Sequence, residues 1–302
     1  MSKIVVSNIS KSFGKTRAVK DISFDVRAGE IFGLLGPNGS GKTTTIRIIL
    51  DIYQPDNGKV AILGGQMTAD KKNHIGYLPE ERGLYQDMAL ERVLTYMASL
   101  KGMADADIKA KLPAYLEKFD LADHAKKKCK ELSKGMQQKG QVIATLIHDP
   151  GLIIIDEPFA ALDPINTQLV KDVLEEEREK GKAIVMCTHQ MSQVESLCDR
   201  LVLVDQGRVL LTGSLEEIAE RYKTNEVLIK PTETLPESLP GVREISRVNG
   251  SFKLSPEESV TPSQLLKTLV SNGVAMESYE VLIPSLDEIF IRVVAEGKKQ
   301  ND

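Results

Sequence analysis

The sequence predicts an α/β sheet domain carrying a helical insertion, followed by a small C-terminal α+β domain. Three observations predict it. Up to about residue 222, short runs rich in β-branched residues alternate with longer helical patterns, the rhythm of a sheet covered by helices. Between Gln86 and His148 the strand signal disappears and only helical spacing remains. Beyond residue 225 hairpin and capping signals begin afresh after a proline-rich stretch. A chain of 302 residues is long enough for two domains at about 150 residues each.

In chain order, Ile4–Val6, Ile22–Val26, Ile31–Leu35, Leu152–Ile155, Ala183–Cys187 and Arg200–Asp205 read as strands. Arg208–Leu211 reads as the return arm of a hairpin turning at Gln206-Gly207. Leu90–Gly102, Asp105–Asp120 and Gly135–His148 have helical spacing and form the insertion, about 86–148. Three prolines between Lys230 and Pro240 interrupt regular structure and mark a linker. Val242–Val248 and Ser251–Leu254 flank Asn249-Gly250, a hairpin signal because both residues tolerate positive φ. Thr261-Pro-Ser-Gln264 has the form of a capping box and opens a helix that stops near Gly273. A strand to Ile283 follows, and Ser285-Leu-Asp-Glu288 caps a last helix reaching about Glu296. The expected division is therefore 1–222 and 225–302.

Hydrophobic residues make up 41% of the chain and charged residues 27%, a globular balance that excludes a largely disordered protein. The net charge of −4 offers no basic platform, so no nucleic-acid partner is expected. Apolar runs such as Leu152–Ile155 fall far short of the roughly 20 residues a membrane-crossing helix needs. Met1-Ser-Lys-Ile4 runs into a strand-like pattern without signal-peptide features, so a cytoplasmic protein is expected. Cys129, Cys187 and Cys198 show no paired or C-x-x-C spacing and read as reduced thiols.

Gly36-Pro-Asn-Gly-Ser-Gly-Lys-Thr43 fits G-x-x-x-x-G-K-[ST], directly after a strand pattern and before a helical one. This is a phosphate-binding P-loop. Gly39 and Gly41 let the backbone curl, so that Gly36, Pro37, Asn38 and Ser40 through Thr44 form a loop whose N–H groups, Pro37 having none, ring a polyphosphate at a helix N-terminus. Lys42 reaches the terminal phosphates and the Thr43 hydroxyl suits Mg²⁺. ATP and Mg²⁺ are the expected cofactors. Such a loop needs a carboxylate at the end of a neighbouring strand. Leu152-Ile-Ile-Ile-Asp156-Glu157 supplies it, because a continuous apolar run is what a strand buried on both faces looks like. Asp156 is assigned to the metal, and Glu157 to orienting or deprotonating the attacking water.

On these residues and the ordered motifs that follow, the sequence resembles the nucleotide-binding subunits of ABC transporters over about residues 3–222. Leu132-Ser-Lys-Gly-Met136 looks like the family's signature motif. The resemblance implies that Ser133 and Gly135 bind the γ-phosphate of ATP held by a second subunit. Lys134 stands where the family has a second Gly, and Met136 where it has Gln. Without that context Ser133 is simply a helix N-cap. Ala161-Leu-Asp163 matches the D-loop, with Asp163 at the dimer interface, and His189 matches the switch histidine that donates to the γ-phosphate. Phe13, in Lys11-Ser-Phe-Gly14, fits the aromatic that stacks on adenine; its alternative is a core Phe on an edge strand. Gly76-Tyr-Leu-Pro-Glu80 occupies the place of the Q-loop, with Glu80 where the family has Gln. A carboxylate can accept from a Mg²⁺-bound water but cannot donate as an amide does. The tail Pro284-Ser-Leu-Asp-Glu-Ile-Phe-Ile-Arg292 is similar to ATP-binding proteins of the ABC-2 export type, including those of sodium or drug efflux.

The resemblance implies an ATPase subunit at the cytoplasmic face of the membrane. It would dimerise head to tail with a second such subunit, a copy or a relative, and drive a separate transmembrane permease. The competing class is a soluble ABC-type ATPase acting on ribosomes or DNA. Such proteins generally carry two cassettes or long coiled coils, and neither is present. A P-loop kinase or GTPase lacks support, since no Asn-Lys-x-Asp guanine reader occurs.

Overall fold

The computed structural model describes residues 2–299 apart from 82, 234 and 237. The chain divides into two compact units, one ending at Leu215 and one spanning Glu216–Lys299. The first contains, in order, β1 (Ser2–Phe13), β2 (Thr16–Arg27), β3 (Ile31–Leu35), α1 (Lys42–Ile49), β4 (Asn57–Ile62), α2 (Ala69–Asn73) and β5 (Ile75–Leu78). The insertion follows with α3 (Leu90–Leu100), α4 (Asp105–Lys118) and α5 (Lys134–Leu146). The chain then re-enters the sheet through β6 (Leu152–Asp156), α6 (Pro164–Glu179), β7 (Ala183–Thr188), α7 (Met191–Glu195), β8 (Arg200–Asp205) and β9 (Arg208–Ser214).

The central sheet runs β5-β6-β7-β3-β8-β9, parallel throughout except for the final β8–β9 hairpin. Strands β3, β6 and β7 are buried along their whole length, which is why they read as unbroken apolar runs. A second, antiparallel sheet of order β2-β1-β4 packs its inward residues Ile4, Val6, Ile9 and Ile22 into the same core as Phe32, Leu34, Ile154 and Val185. The parallel register brings the C-terminal ends of β3, β6 and β7 side by side, with Leu35 opposite Thr188 and Asp156 opposite Cys187. Ligand sites in such sheets form outside these ends.

The second unit begins with residues of α8 (Leu215–Arg221) and continues with β10 (Val227–Pro231), β11 (Val242–Val248), β12 (Ser251–Pro256), α9 (Pro262–Ser271), β13 (Met276–Val281) and α10 (Leu286–Lys299). Its antiparallel sheet, β11-β12-β10-β13, packs Val227, Ile229 and Leu254 against Leu265 and Leu269 of α9. The Thr261 capping box is formed: the Gln264 amide donates to Thr261 Oγ1 (3.3 Å) and the Thr261 amide to Gln264 Oε1 (2.9 Å).

Three expectations differ from the structure. The strand read as Ile4–Val6 is a quarter of a twelve-residue arm, and β2 is equally long, because the two pair with each other through repeated register shifts. Strands β4, β5 and β10 were not expected at all. The proline-rich 230–240 segment follows β10 inside the second unit, so it is a connection between strands and not a linker between units.

Candidate functional site

The loop from Gly36 to Gly41 joins β3 to α1 and is shaped by its glycines. A Cβ on Gly36 would lie 2.0 Å from the Val204 carbonyl oxygen, and one on Gly41 2.5 Å from that of Ala18; both residues have positive φ. Gly39 also has positive φ and has nothing within 4 Å on its open side. The Lys42 ammonium donates to the carbonyls of Gly36 (2.8 Å) and Pro37 (3.1 Å), so it is folded back across the loop. Ser40 Oγ is buried without a hydrogen-bond partner.

A cavity of about 290 Å³ opens above this loop, lined by Asn38, Gly39, Gly41, Lys42, Thr43 and Thr44. Ala18, Glu80, Asp156 and Glu157 close its other walls. Thr43 Oγ1 lies 3.4 Å from Asp156 Oδ2, which brings together the two side chains expected to face a cation. Asp156 is buried, and burial pushes its carboxyl above the usual range, reinforced by the negative charges of Glu80 and Glu157; a hydrogen bond with Cys187 and the charge of Lys42 act the other way.

Glu157 sits just past the end of β6 with φ 51, a left-handed conformation that costs a non-glycine residue about 1–3 kcal/mol. Its carboxylate is gripped by the end of β7. The His189 amide donates to Oε1 at 3.0 Å, His189 Nδ1 lies 2.6 Å from the same oxygen, and Thr188 Oγ1 donates to Oε2 at 3.1 Å. The ring nitrogen facing a carboxylate carries the proton, which leaves Nε2 available to another group. Thr188 is fully buried and accepts from the Gln190 amide (3.1 Å), so it is itself fixed.

Ser133, Gly135 and Asp163 do not line this cavity. Ser133 is exposed and caps α5 through the Met136 amide (3.2 Å). Asp163 is exposed and caps α6 through the Asn166 amide (2.8 Å), a bond that holds its carboxyl below the usual range. The two segments are neighbours: a Cβ on Gly135 would lie 3.1 Å from the Ala161 carbonyl oxygen. Gln138, one turn further along α5, donates to the Pro158 carbonyl (3.0 Å) and ties that helix to the segment after Glu157. Phe13 is 45% exposed at the end of β1, edge-on to Tyr53 at 5.4 Å, and is not a core residue. Phe159, just past Glu157, is buried.

Sequence reasoning missed Thr188, Gln138, Cys187 and Ala18. Their roles arise from which strands are adjacent, and no local pattern announces them.

The wound parallel sheet, the glycine cradle with its lysine, and the carboxylate pair at the end of the next strand but one define a P-loop nucleoside triphosphatase. Residues 19–160 match the ABC transporter family, and residues 213–294 match the C-terminal domain of DrrA1-3-like ATP-binding proteins. The chain is 36% identical to the ABC transporter ATP-binding protein YhaQ of Bacillus subtilis, over 96% of this chain and 98% of that protein. It is 31% identical to the linearmycin resistance ATP-binding protein of Bacillus subtilis, over 95% of this chain and 96% of that one. To the Nod factor export ATP-binding protein I of Rhizobium sp. it is 37% identical, over 74% and 75% of the two chains. A solved ATP-binding subunit of an ABC transporter superposes with a TM-score of 0.68 at 32% identity, covering 72% of this chain and 92% of that one. The chain belongs to the ABC transporter ATP-binding proteins: it is an ATP-binding and ATP-hydrolysing subunit, a class that dimerises and works with a transmembrane permease. Among the described residues no helix is long and apolar enough to cross a membrane. The ribosome or DNA alternative draws no support from these relatives.

Proposed function

We propose that this subunit powers an exporter from the cytoplasmic face of the cell membrane, closing head to tail on a second subunit with one MgATP at each shared site. The observation that carries the reading is the division of labour on one chain. Lys42, Thr43, Glu80, Asp156 and Glu157 surround a single cavity, whereas Ser133 and Gly135 stand exposed or half-buried outside it, at the N-terminus of a 13-residue helix. An anion site with no anion of its own suits the γ-phosphate of a neighbour.

The buried, partnerless Ser40 Oγ and the open face of Gly39 fit a bound phosphate chain. The Thr43–Asp156 pair fits Mg²⁺ in its hydrated form. When bound, that ion would supply positive charge against the negative charge that develops on the phosphate. On the protein's side, Lys42 leaves its two carbonyl partners to reach the β- and γ-phosphates. Glu157, aimed by Thr188 and His189, takes a proton from the attacking water. His189 Nε2 faces the departing γ-phosphate, and Glu80 accepts from water at the metal. Phe13 stacks on adenine, and Asp163 crosses the dimer interface. Contacts to Ser133 and Gly135 exist only while the γ-phosphate is present, so hydrolysis removes the differential affinity that holds the pair closed.

The permease is expected to seat on the helical insertion. There α3 and α4 enclose a groove of about 790 Å³ floored by Ile108, Leu112 and Leu116. The export direction follows the relatives named for Nod factor export and linearmycin resistance. The tail beyond residue 225 takes no part in the ATP chemistry, and a chain ending at Lys223 is expected to bind ATP.

The three native cysteines are buried, so an introduced pair can be read cleanly. Asn38→Cys with Ser133→Cys should cross-link two chains under MgATP and not under MgADP. A cross-link indifferent to nucleotide would overturn the shared-site reading.

A further inference from the structure

The nucleotide cavity is unbalanced in charge. Three carboxylates, Glu80, Asp156 and Glu157, line it against one ammonium, that of Lys42. Asp156 has the Thr43 hydroxyl beside it, and Glu157 is held by Thr188 and His189. Glu80 is exposed, and its side chain makes no hydrogen bond or ion pair among the described residues. Bound ATP adds more negative charge than one Mg²⁺ removes. Closing the site around it, away from water, raises the cost of a carboxylate left unpaired.

The opposite imbalance stands at the start of α5. That helix carries Lys134 and Lys139 and no acidic residue. Lys134 is its first residue, directly after the Ser133 cap, where a positive charge opposes the helix dipole. Its side chain is exposed and also makes no hydrogen bond or ion pair among the described residues. Within one chain the two charges do not meet. The side chain of α5 that reaches the segment after Glu80 is Gln141, which donates to the Glu81 carbonyl (3.3 Å) and lies two turns beyond Lys134, about 10 Å along the helix.

We propose that Lys134 of one copy enters the nucleotide site of the other and pairs with its Glu80 carboxylate, so that the closed dimer holds two such ion pairs. The inference rests on the head-to-tail reading above, which brings Ser133 of each copy to the γ-phosphate of the other. Lys134 is the next residue, and its flexible four-carbon stem carries the ammonium past the phosphate to the wall that Glu80 forms. Glu80 keeps its second oxygen for water at the metal. Both residues stand where the sequence departs from its family's pattern, and the two departures are opposite in sign. The pair exists only in the closed state, so it adds to the affinity that depends on ATP. It also selects the neighbour, because a subunit lacking either charge leaves the other unpaired.

The test uses the full chain carrying Glu157→Gln, under saturating MgATP. Sedimentation equilibrium gives the dimer Kd for this parent, for Lys134→Gln, for Glu80→Gln and for the double variant. Lys134→Gln should weaken the dimer about tenfold when Glu80 is present and less than about twofold when it is Gln. The tenfold effect should shrink as NaCl rises from about 0.05 to 0.5 M. A second measurement keeps both native side chains: a zero-length carbodiimide should join Lys134 to Glu80 under MgATP and not under MgADP. In a mixture of isotope-labelled and unlabelled chains, the joined peptides should include pairs with one labelled arm. Equal weakening by Lys134→Gln in both backgrounds would assign the lysine to the phosphate and overturn the pairing. No weakening, or a cross-link confined to single chains, would overturn it too while leaving the head-to-tail reading in place. A parent that stays monomeric under MgATP would overturn that reading and the pairing together.

Discussion

Replacing Glu157 by Gln removes the proton acceptor while leaving the shape of the site. In the structure Oε1 accepts from the His189 amide and faces Nδ1, and Oε2 accepts from Thr188 Oγ1. A glutamine whose oxygen stays on the His189 side keeps both of those donors satisfied. Its amide NH₂ then faces Thr188 Oγ1, which already accepts from the Gln190 amide and has a second lone pair to offer. The Thr188 hydroxyl proton loses the acceptor it had in Oε2, so a folding cost of about 1 kcal/mol is expected. The hydrogen bonds of Lys42 run to Gly36 and Pro37 and are untouched by the change, so ATP affinity should change less than about threefold. Hydrolysis should fall at least about 10²-fold, the usual contribution of a positioned base, equal to about 2.7 kcal/mol at the barrier. The assay is phosphate release under saturating MgATP, with affinity from a fluorescent ATP analogue and thermal unfolding as the check on folding. A folded Glu157→Gln protein that binds ATP and retains more than about a tenth of the wild-type rate would refute the assignment of Glu157 as the base.

Gly36→Ala should abolish ATP binding and lower the unfolding temperature, because its Cβ would meet the Val204 carbonyl at 2.0 Å at a positive φ; unchanged nucleotide affinity would contradict the cradle. Glu80→Gln should keep measurable hydrolysis, since the amide still offers an acceptor, whereas Glu80→Ala should impair coupling to the permease. A Glu80→Gln protein as inactive as Lys42→Ala would require another role for that carboxylate. Stability should also depend on His148. Its pKa falls from 6.5 unfolded to about 4 folded, so its contribution is complete above pH 6.5 and lost as pH drops towards 4. With allowance for its part exposure the loss is about 2 kcal/mol. Urea midpoints of His148→Gln should lack that part of the acid slope, and identical slopes would count against it.

The sheet was legible wherever burial is two-sided. Ile31–Leu35, Leu152–Ile155 and Ala183–Cys187 are unbroken apolar runs because both faces are buried, one of them in the core shared with the antiparallel sheet, and the phosphate motif follows the first of them. Helix ends were legible from their caps at Ser133, Thr261 and Ser285. Strand β4 was not, since Asn57-Gly-Lys59 at its start is exposed and its signal comes from pairing with β1. Strand β5 has four residues, too few for a period to show. The proline-rich segment misled because prolines mark any connection, within a domain or between two. At the site, Lys42, Thr43, Asp156 and Glu157 could be named from motifs. The grip of Thr188 and His189 on Glu157 could not, because it depends on β6 and β7 lying side by side, a pairing between residues about 30 positions apart.

The central claim is that the γ-phosphate bound by one copy is read by Ser133 and Gly135 of another. The most direct measurement is the molar mass of the Glu157→Gln protein by size-exclusion chromatography with light scattering, under saturating MgATP and then MgADP. The account expects a dimer with MgATP, a monomer with MgADP, and a monomer under both when Ser133→Arg is added to fill the phosphate contact. A monomer under saturating MgATP, both alone and with the permease, would contradict it and leave a self-contained P-loop ATPase.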